Sequence, residues 1–362
     1  MDPQRLARQI VRDLEPYAWE LSSEAVAAKH HLRVEEIRRF DLNTSPFPPA
    51  AWDAAMTAAR VERMPQDYFD TGYAELTPLI ARYCGVGEDC LVVGAGADEV
   101  LDIITKTFLD DDDLVVTSQP TYPMYEICSR QLGARVRTVP THPDLTPDID
   151  GLIAASQGAK ILWHCNPASP TTLLTSPGDM ERLIGETGCM VVVDEAYAEF
   201  AGVSVAPLIA RHPNLIVVRT MSKAFAMAGM RLGWGMAQPE VVELMNRVRP
   251  PNSVSRVTAR LGAAALRDPA SMRQNVARIL AQREPMTTGL SELGADVVPS
   301  STNFLLTRWA GPEEAQEVYD HLEARGMVVR NYARHHQLPG HLRITVRSGE
   351  DNQRLLAALA GR

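Results

Sequence analysis

Six short runs of mainly β-branched residues recur between positions 91 and 218, and they constrain the fold more than any other feature of the chain. They are Leu91-Val92-Val93, Leu114-Val115-Val116, Val136-Arg137-Thr138-Val139, Ile161-Leu162-Trp163, Met190-Val191-Val192-Val193 and Leu215-Ile216-Val217-Val218. Helices are expected near 73–84, 98–109 and 123–132. Mostly apolar runs with little polar alternation suit strands covered on both faces, so the pattern predicts an α/β fold with a mainly parallel central sheet between helices. A chain of 362 residues exceeds what one core usually serves. The expected division is an N-terminal arm over 1–40, a large domain over 41–250 and a smaller α+β domain over 251–362. The arm reads as amphipathic helix and connector, packing with the small domain and ending at Asn43-Thr44-Ser45-Pro46-Phe47-Pro48-Pro49, where prolines forbid a helix interior. A helical stretch over 239–290 precedes strands near 303–307 and 342–346 and helices near 312–325 and 350–361.

Composition narrows the function classes. The net charge is −9 and no long Lys/Arg block occurs, which argues against nucleic acid or an anionic membrane as partner. No apolar run is long enough to span a bilayer, and the N-terminus lacks the uninterrupted apolar core of a signal peptide. The five cysteines, at 84, 90, 128, 165 and 189, contain no CxxC pair and read as reduced thiols of a cytoplasmic protein. Asp110-Asp111-Asp112-Asp113 reads as a solvated loop, because adjacent carboxylates on a turn do not converge on one ion. No metal site is expected.

In open parallel sheets, ligands sit beyond the carboxyl ends of the strands. Gly94-Ala95-Gly96-Ala97-Asp98 opens a helix after the first run, where free backbone amides and the helix dipole suit a phosphate; the same pattern also makes a plain strand-to-helix turn. His164-Cys165-Asn166-Pro167 follows the fourth run and Asp194-Glu195-Ala196-Tyr197 the fifth. Asp194 is either a ligand group, a helix cap or an ion-pair partner. After the sixth run comes Arg219-Thr220-Met221-Ser222-Lys223-Ala224-Phe225. Lysine is scarce: only Lys29, Lys106, Lys160 and Lys223 occur, so 32 of the 36 basic residues are arginine. A lysine in a Ser- and Gly-rich, otherwise apolar stretch is then most simply explained by its amine, which arginine cannot replace as a nucleophile. Together these ends offer an amine for an aldehyde, a carboxylate for a protonated pyridine and a phosphate cradle, the needs of pyridoxal 5'-phosphate.

These motifs resemble the fold-type-I pyridoxal phosphate enzymes, and within them the histidinol-phosphate aminotransferase group, through most of the chain. TMSKAFAMAGMRLGW is similar to that family's Schiff-base segment, which implies Lys223 as the catalytic, covalent site with Ser222 and Arg231 on the cofactor phosphate. VGAGADEVLD implies phosphate contacts at Ala97 and Asp98, and QPTYPMYE implies Tyr122 stacked on the cofactor ring. NPASPTT implies Asn166, and VVVDEAY implies Asp194 on the pyridine nitrogen and Tyr197 beside the phenolate oxygen. DYFDTGYAEL implies that Tyr68 reaches the cofactor of a partner subunit, hence a homodimer with shared sites. LRITV implies Arg343 as the substrate's anion grip, with Tyr17 and Asn166 also near substrate.

The chain departs from the family pattern at Asn43-Thr44-Ser45-Pro46, at Thr172, at Arg347 and at Ala18-Trp19-Glu20 after Tyr17. These departures bear on substrate choice, and Arg330 and Arg347 are further candidate anion contacts. His335 and His336 are candidates for the entrance; in an extended chain, adjacent side chains would point apart. The resemblance implies an aminotransferase acting on an amino-acid or amino-phosphate donor and a 2-oxo acid. A decarboxylase, eliminase or cyclase of the same cofactor, for example on an arginine-like substrate, and a non-catalytic cofactor-binding module are the alternatives.

Overall fold

The computed structural model describes residues 3–15, 17, 19–49, 52–61, 67, 68 and 70–362. A two-residue strand, β1 (Arg38–Arg39), precedes seven strands of one sheet: β2 (Leu91–Gly94), β3 (Leu114–Gln119), β4 (Arg135–Pro140), β5 (Ile161–Cys165), β6 (Met190–Asp194), β7 (Leu215–Thr220) and β8 (Gly233–Met236). Their spatial order is β2-β8-β7-β6-β5-β3-β4. Six run parallel, and β8 runs antiparallel to both of its neighbours. The apolar runs are explained by two cores. Leu162, Val191, Val193 and Val217 face one, while Ile161, Trp163, Val192, Ile216 and Val218 face the other. Side chains alternate across a strand, so a strand buried on both faces needs apolar residues at every position.

The strand β8 was absent from the sequence expectation, because Gly-Trp-Gly-Met lacks the β-branched pattern. Its glycine is required by close approach: a Cβ on Gly233 would come 2.5 Å from the Gly96 carbonyl carbon and 2.6 Å from Ala97 N. The backbone of β8 therefore lies hard against the turn after β2. Helices Ile149–Ala155 and Pro177–Glu186 were also unanticipated; Asp148 and Ser176 cap them by accepting from Gly151 N and Asp179 N.

Four antiparallel strands, β9 (Asp296–Val297), β10 (Phe304–Arg308), β12 (Arg330–Tyr332) and β13 (His341–Thr345), form a second sheet in the order β12-β13-β10-β9, while β11 (Met327–Val328) pairs in parallel with β1. Helices Pro312–Glu323 and Gly349–Ala360 accompany this unit. Among the described residues of the expected arm, α-helix forms over Gln9–Asp13 and Ser23–His30. The second starts where Ser22 accepts from Ala25 N, and Tyr17, Trp19 and Glu20 lie between the two without helix. Ala18, part of the altered turn, lies outside the described residues. Helix Arg256–Arg267 rests on the large unit, since Thr258 Oγ1 donates to the Met230 carbonyl (2.9 Å) and Val254 N to Tyr73 Oη (3.2 Å). Among the described residues no helix is long and apolar enough to cross a membrane, and no group of His, Cys, Asp or Glu is arranged to hold a metal.

Candidate active site

The chain crosses from β2 to β3, continues outward to β4, and returns to place β5 on the other side of β3. This reversal opens a crevice beyond the carboxyl ends of the strands. A cavity of about 470 Å³ lies there, lined by Tyr17, Ala97, Asp98, Tyr122, Asp194, Tyr197, Ser222, Lys223, Arg231, Arg330 and Arg343, among others. All eleven of these were candidates from the sequence, and tertiary packing is what assembles them. Asp194 ends β6 in register with Cys165 on β5 and Val218 on β7, so it stands beside the ends of both neighbouring strands.

Lys223 lies three residues past Thr220, the end of β7, and its Nζ donates to the Leu42 carbonyl at 3.2 Å. Burial, with the positive Arg343 adding to it, pulls its amine down to about 8. A larger share of neutral amine is thus present at neutral pH than an exposed lysine would have. Asp194 is only 4% exposed. Burial pushes its carboxyl up to about 6, against the lowering effect of hydrogen bonds from Tyr125 Oη (2.8 Å) and Ala196 N (3.0 Å). A carboxylate kept under such a penalty is well suited to a cationic partner in the cavity.

At the phosphate turn, Gly96 has φ +90°, which L side chains rarely adopt, and a Cβ there would meet Arg231 Nη2 at 2.5 Å. Arg231 Nη2 donates to Asp98 Oδ2 (3.0 Å) and Nη1 approaches Ser222 Oγ (3.5 Å). Tyr122 Oη donates to the other Asp98 oxygen at 2.9 Å. The turn, the helix start at Ala97, Ser222 and Arg231 therefore converge on one concave spot, the arrangement that binds a phosphate. Tyr197 accepts from Asn43 Nδ2 (3.0 Å), and burial raises its hydroxyl to about 12, so it stays protonated. These groups fit pyridoxal phosphate: a bare amine, a buried carboxylate and a glycine cradle that any side chain would fill.

Not every candidate lines the cavity. Asn166 lies outside the lining, its side-chain oxygen accepting from Thr175 N at 2.9 Å and its own backbone N donating to the Asp194 carbonyl. Tyr68 is 89% exposed and points to no part of this cavity. Arg347 is bound to Asp351 (2.9 Å) and the Arg39 carbonyl (3.1 Å), outside the lining, whereas Arg330 is within it. His335 and His336 do not point apart: they lie in a turn, and their rings stack 4.7 Å apart. Both line a second cavity that shares Tyr17, Tyr122, Arg330 and Arg343 with the first. Tyr125 and Asn43 were missed as supports of Asp194 and Tyr197. Tyr125 had a signal, since it follows Tyr122 by one helical turn in the same motif, but Asn43 had none beyond its loop. Also missed was the buried ion pair of Arg219 Nε with Glu195 (3.0 Å), which ties the ends of β7 and β6 together beside Lys223 and Asp194.

Comparison with known proteins agrees with this geometry. The family described as aminotransferase class I and II matches residues 39–359. A histidinol-phosphate aminotransferase of Roseiflexus castenholzii is 35% identical, over 98% of this chain and 97% of its own, and one of Shigella dysenteriae is 33% identical over 98% and 96%. The crystal structure of histidinol-phosphate aminotransferase from Sinorhizobium meliloti, in complex with pyridoxal-5'-phosphate, superposes with a TM-score of 0.88 at 26% identity, covering 98% of this chain and 96% of that one. A lysine amine, a buried aspartate and a glycine-lined phosphate turn meet at the sheet's carboxyl edge in a chain matched almost end to end, and the protein belongs to the class I and II aminotransferases.

Proposed function

We propose that this protein is a pyridoxal phosphate-dependent aminotransferase that moves an amino group between an amino-acid or amino-phosphate donor and a 2-oxo acid. The observation that carries the reading is the meeting of Lys223, its amine lowered to about 8, with Asp194 in one cavity. The cofactor, once bound, supplies an electron sink for the substrate's α-carbon. On this reading Asp194 holds the proton on the cofactor's ring nitrogen, and Tyr125 and Ala196 N orient Asp194. Ala97, Asp98, Ser222 and Arg231 hold its phosphate, with Tyr122 against the ring and Tyr197 toward its phenolate side. Lys223 takes and returns the proton at the substrate's α-carbon, acting as base and then acid. Arg343 holds the substrate's anionic group, and Tyr17 walls that end of the cavity. We further propose a homodimer, in which Tyr68 reaches the neighbouring subunit's cofactor; its near-complete exposure in one chain supports this. The five free thiols are in keeping with a cytoplasmic protein. Decarboxylation, elimination, cyclisation and a non-catalytic role are less favoured, because the long, similar relatives are aminotransferases.

The test is a half-reaction. Holoprotein mixed with a panel of amino donors, without any 2-oxo acid, is expected to lose the visible absorbance of its lysine-bound cofactor and to release the matching 2-oxo product. If no donor produces this change, or if carbon dioxide rather than a 2-oxo compound is released, the reading fails.

A further inference from the structure

Besides Arg231, which is paired with Asp98, the cavity is lined by two arginines that are cross-strand partners. Arg330 on β12 and Arg343 on β13 face each other in antiparallel register, and both line the site. Like charges placed opposite one another repel, and the chain treats the two differently. Arg343 Nη2 donates to the Asp41 carbonyl (2.6 Å) and Nη1 approaches Ser169 Oγ (3.5 Å), while its buried Nε has no hydrogen-bond partner. Among the described residues no carboxylate pairs with it. Arg330 instead has Glu20, whose Oε1 lies 3.7 Å from Nη1, the two side chains being 16% and 13% exposed. Glu20 is itself fixed, accepting from Asn331 N (3.0 Å) and Tyr319 Oη (3.0 Å), and the Arg330 guanidinium lies 5.9 Å from the Tyr17 ring centre. Glu20 belongs to the turn after Tyr17, where the chain departs from its family's pattern.

We propose that Glu20 is a specificity-determining residue: by neutralising Arg330 it leaves one uncompensated guanidinium, Arg343, so the site selects donors carrying a singly charged carboxylate over those carrying a doubly charged phosphate. This rests on the aminotransferase reading and chooses between its two donor classes. A phosphate dianion gains from two open cations, whereas here its second charge meets an ion pair and the nearby carboxylate. A carboxylate needs one guanidinium, which Arg343 provides.

The test compares L-histidine with L-histidinol phosphate, which share a side chain and differ in the anionic group, as amino donors in the half-reaction. Wild-type holoprotein is expected to show the higher kcat/KM with L-histidine. Glu20→Gln, which keeps a hydrogen-bond acceptor but removes the charge, is expected to shift the ratio toward the phosphate donor by about tenfold, as for a unit charge removed near the anion in a partly buried site. Tyr319→Phe removes a bond to Glu20 without changing its charge and is expected to leave the ratio alone. A wild-type preference for L-histidinol phosphate, or an unchanged ratio in Glu20→Gln with the cofactor's spectrum intact, overturns the proposal. Binding of acetate and methyl phosphate, read from the holoprotein's visible spectrum, gives the same comparison without turnover: wild type is expected to bind methyl phosphate no more tightly than acetate. The charge selection is thereby judged even where neither donor reacts or the variant does not fold, and tighter binding of methyl phosphate by wild type refutes it.

Discussion

Replacing Asp194 by asparagine is expected to stabilise the cofactor-free protein above pH 6 while abolishing its function. The magnitude follows from the ionisation of the buried carboxyl, raised from 3.8 to about 6 with burial as the largest cause. The folded chain holds this proton between about pH 4 and pH 6, where the unfolded chain has already released it. Stability is therefore lost as pH rises through that window, and the whole penalty applies above it. A rise of about two pH units corresponds to about 3 kcal/mol. Asparagine has nearly the same shape, can still accept from Ala196 N, and can donate to the Tyr125 hydroxyl, so it removes the charge and leaves the packing. Chemical denaturation of cofactor-free wild type and Asp194→Asn at pH 5 and pH 8 measures the effect: the variant should gain on wild type between the two by about 1.4 kcal/mol, the rest of the penalty having already developed below pH 5. With cofactor bound, the gain should vanish, because the ring nitrogen's proton offsets the carboxylate in wild type alone. An equal difference between the proteins at both pH values would refute the idea that the carboxylate is held against a burial penalty.

Three other outcomes are expected. Lys223, with its amine lowered to about 8, should make the rate of pyridoxal phosphate uptake by cofactor-free protein rise through pH 8 and then level off; rapid-mixing absorbance reads this, and a midpoint near that of an exposed lysine would contradict it. Gly96→Ala brings a Cβ to 2.5 Å from Arg231 and strains a φ of +90°, so cofactor affinity should fall by at least about tenfold in a fluorescence titration, with the fold retained by circular dichroism. Arg343→Ala should raise KM for the carboxylate donor far more than it weakens cofactor binding; equal losses in both would assign it to the cofactor instead.

The local parts of this site were legible because they follow short-range rules. A strand buried on both faces must be apolar throughout, so β5, β6 and β7 stood out, and at or just past their ends were Asn166, Asp194 and Lys223. Lysine scarcity singled out Lys223 for the same reason: its chemistry is visible in one residue. The strand β8 was invisible because its Gly233 answers to the backbone of Gly96, 137 residues earlier, and of Ala97, and its Gly235 to Val92 and Val100, not to any local preference. Tyr125 beneath Asp194, Asn43 on Tyr197 and Arg219 on Glu195 were hidden likewise, being contacts between distant segments. Sequence alone thus determined six of the sheet's seven strands, the lysine proposed to carry the cofactor and the aspartate at its strand end, since periodicity and residue chemistry act over a few positions. Tertiary structure alone decided that Arg330 faces Arg343 and that Glu20 reaches across from the arm to pair with only one of them, because register and long-range packing set which charges share a cavity.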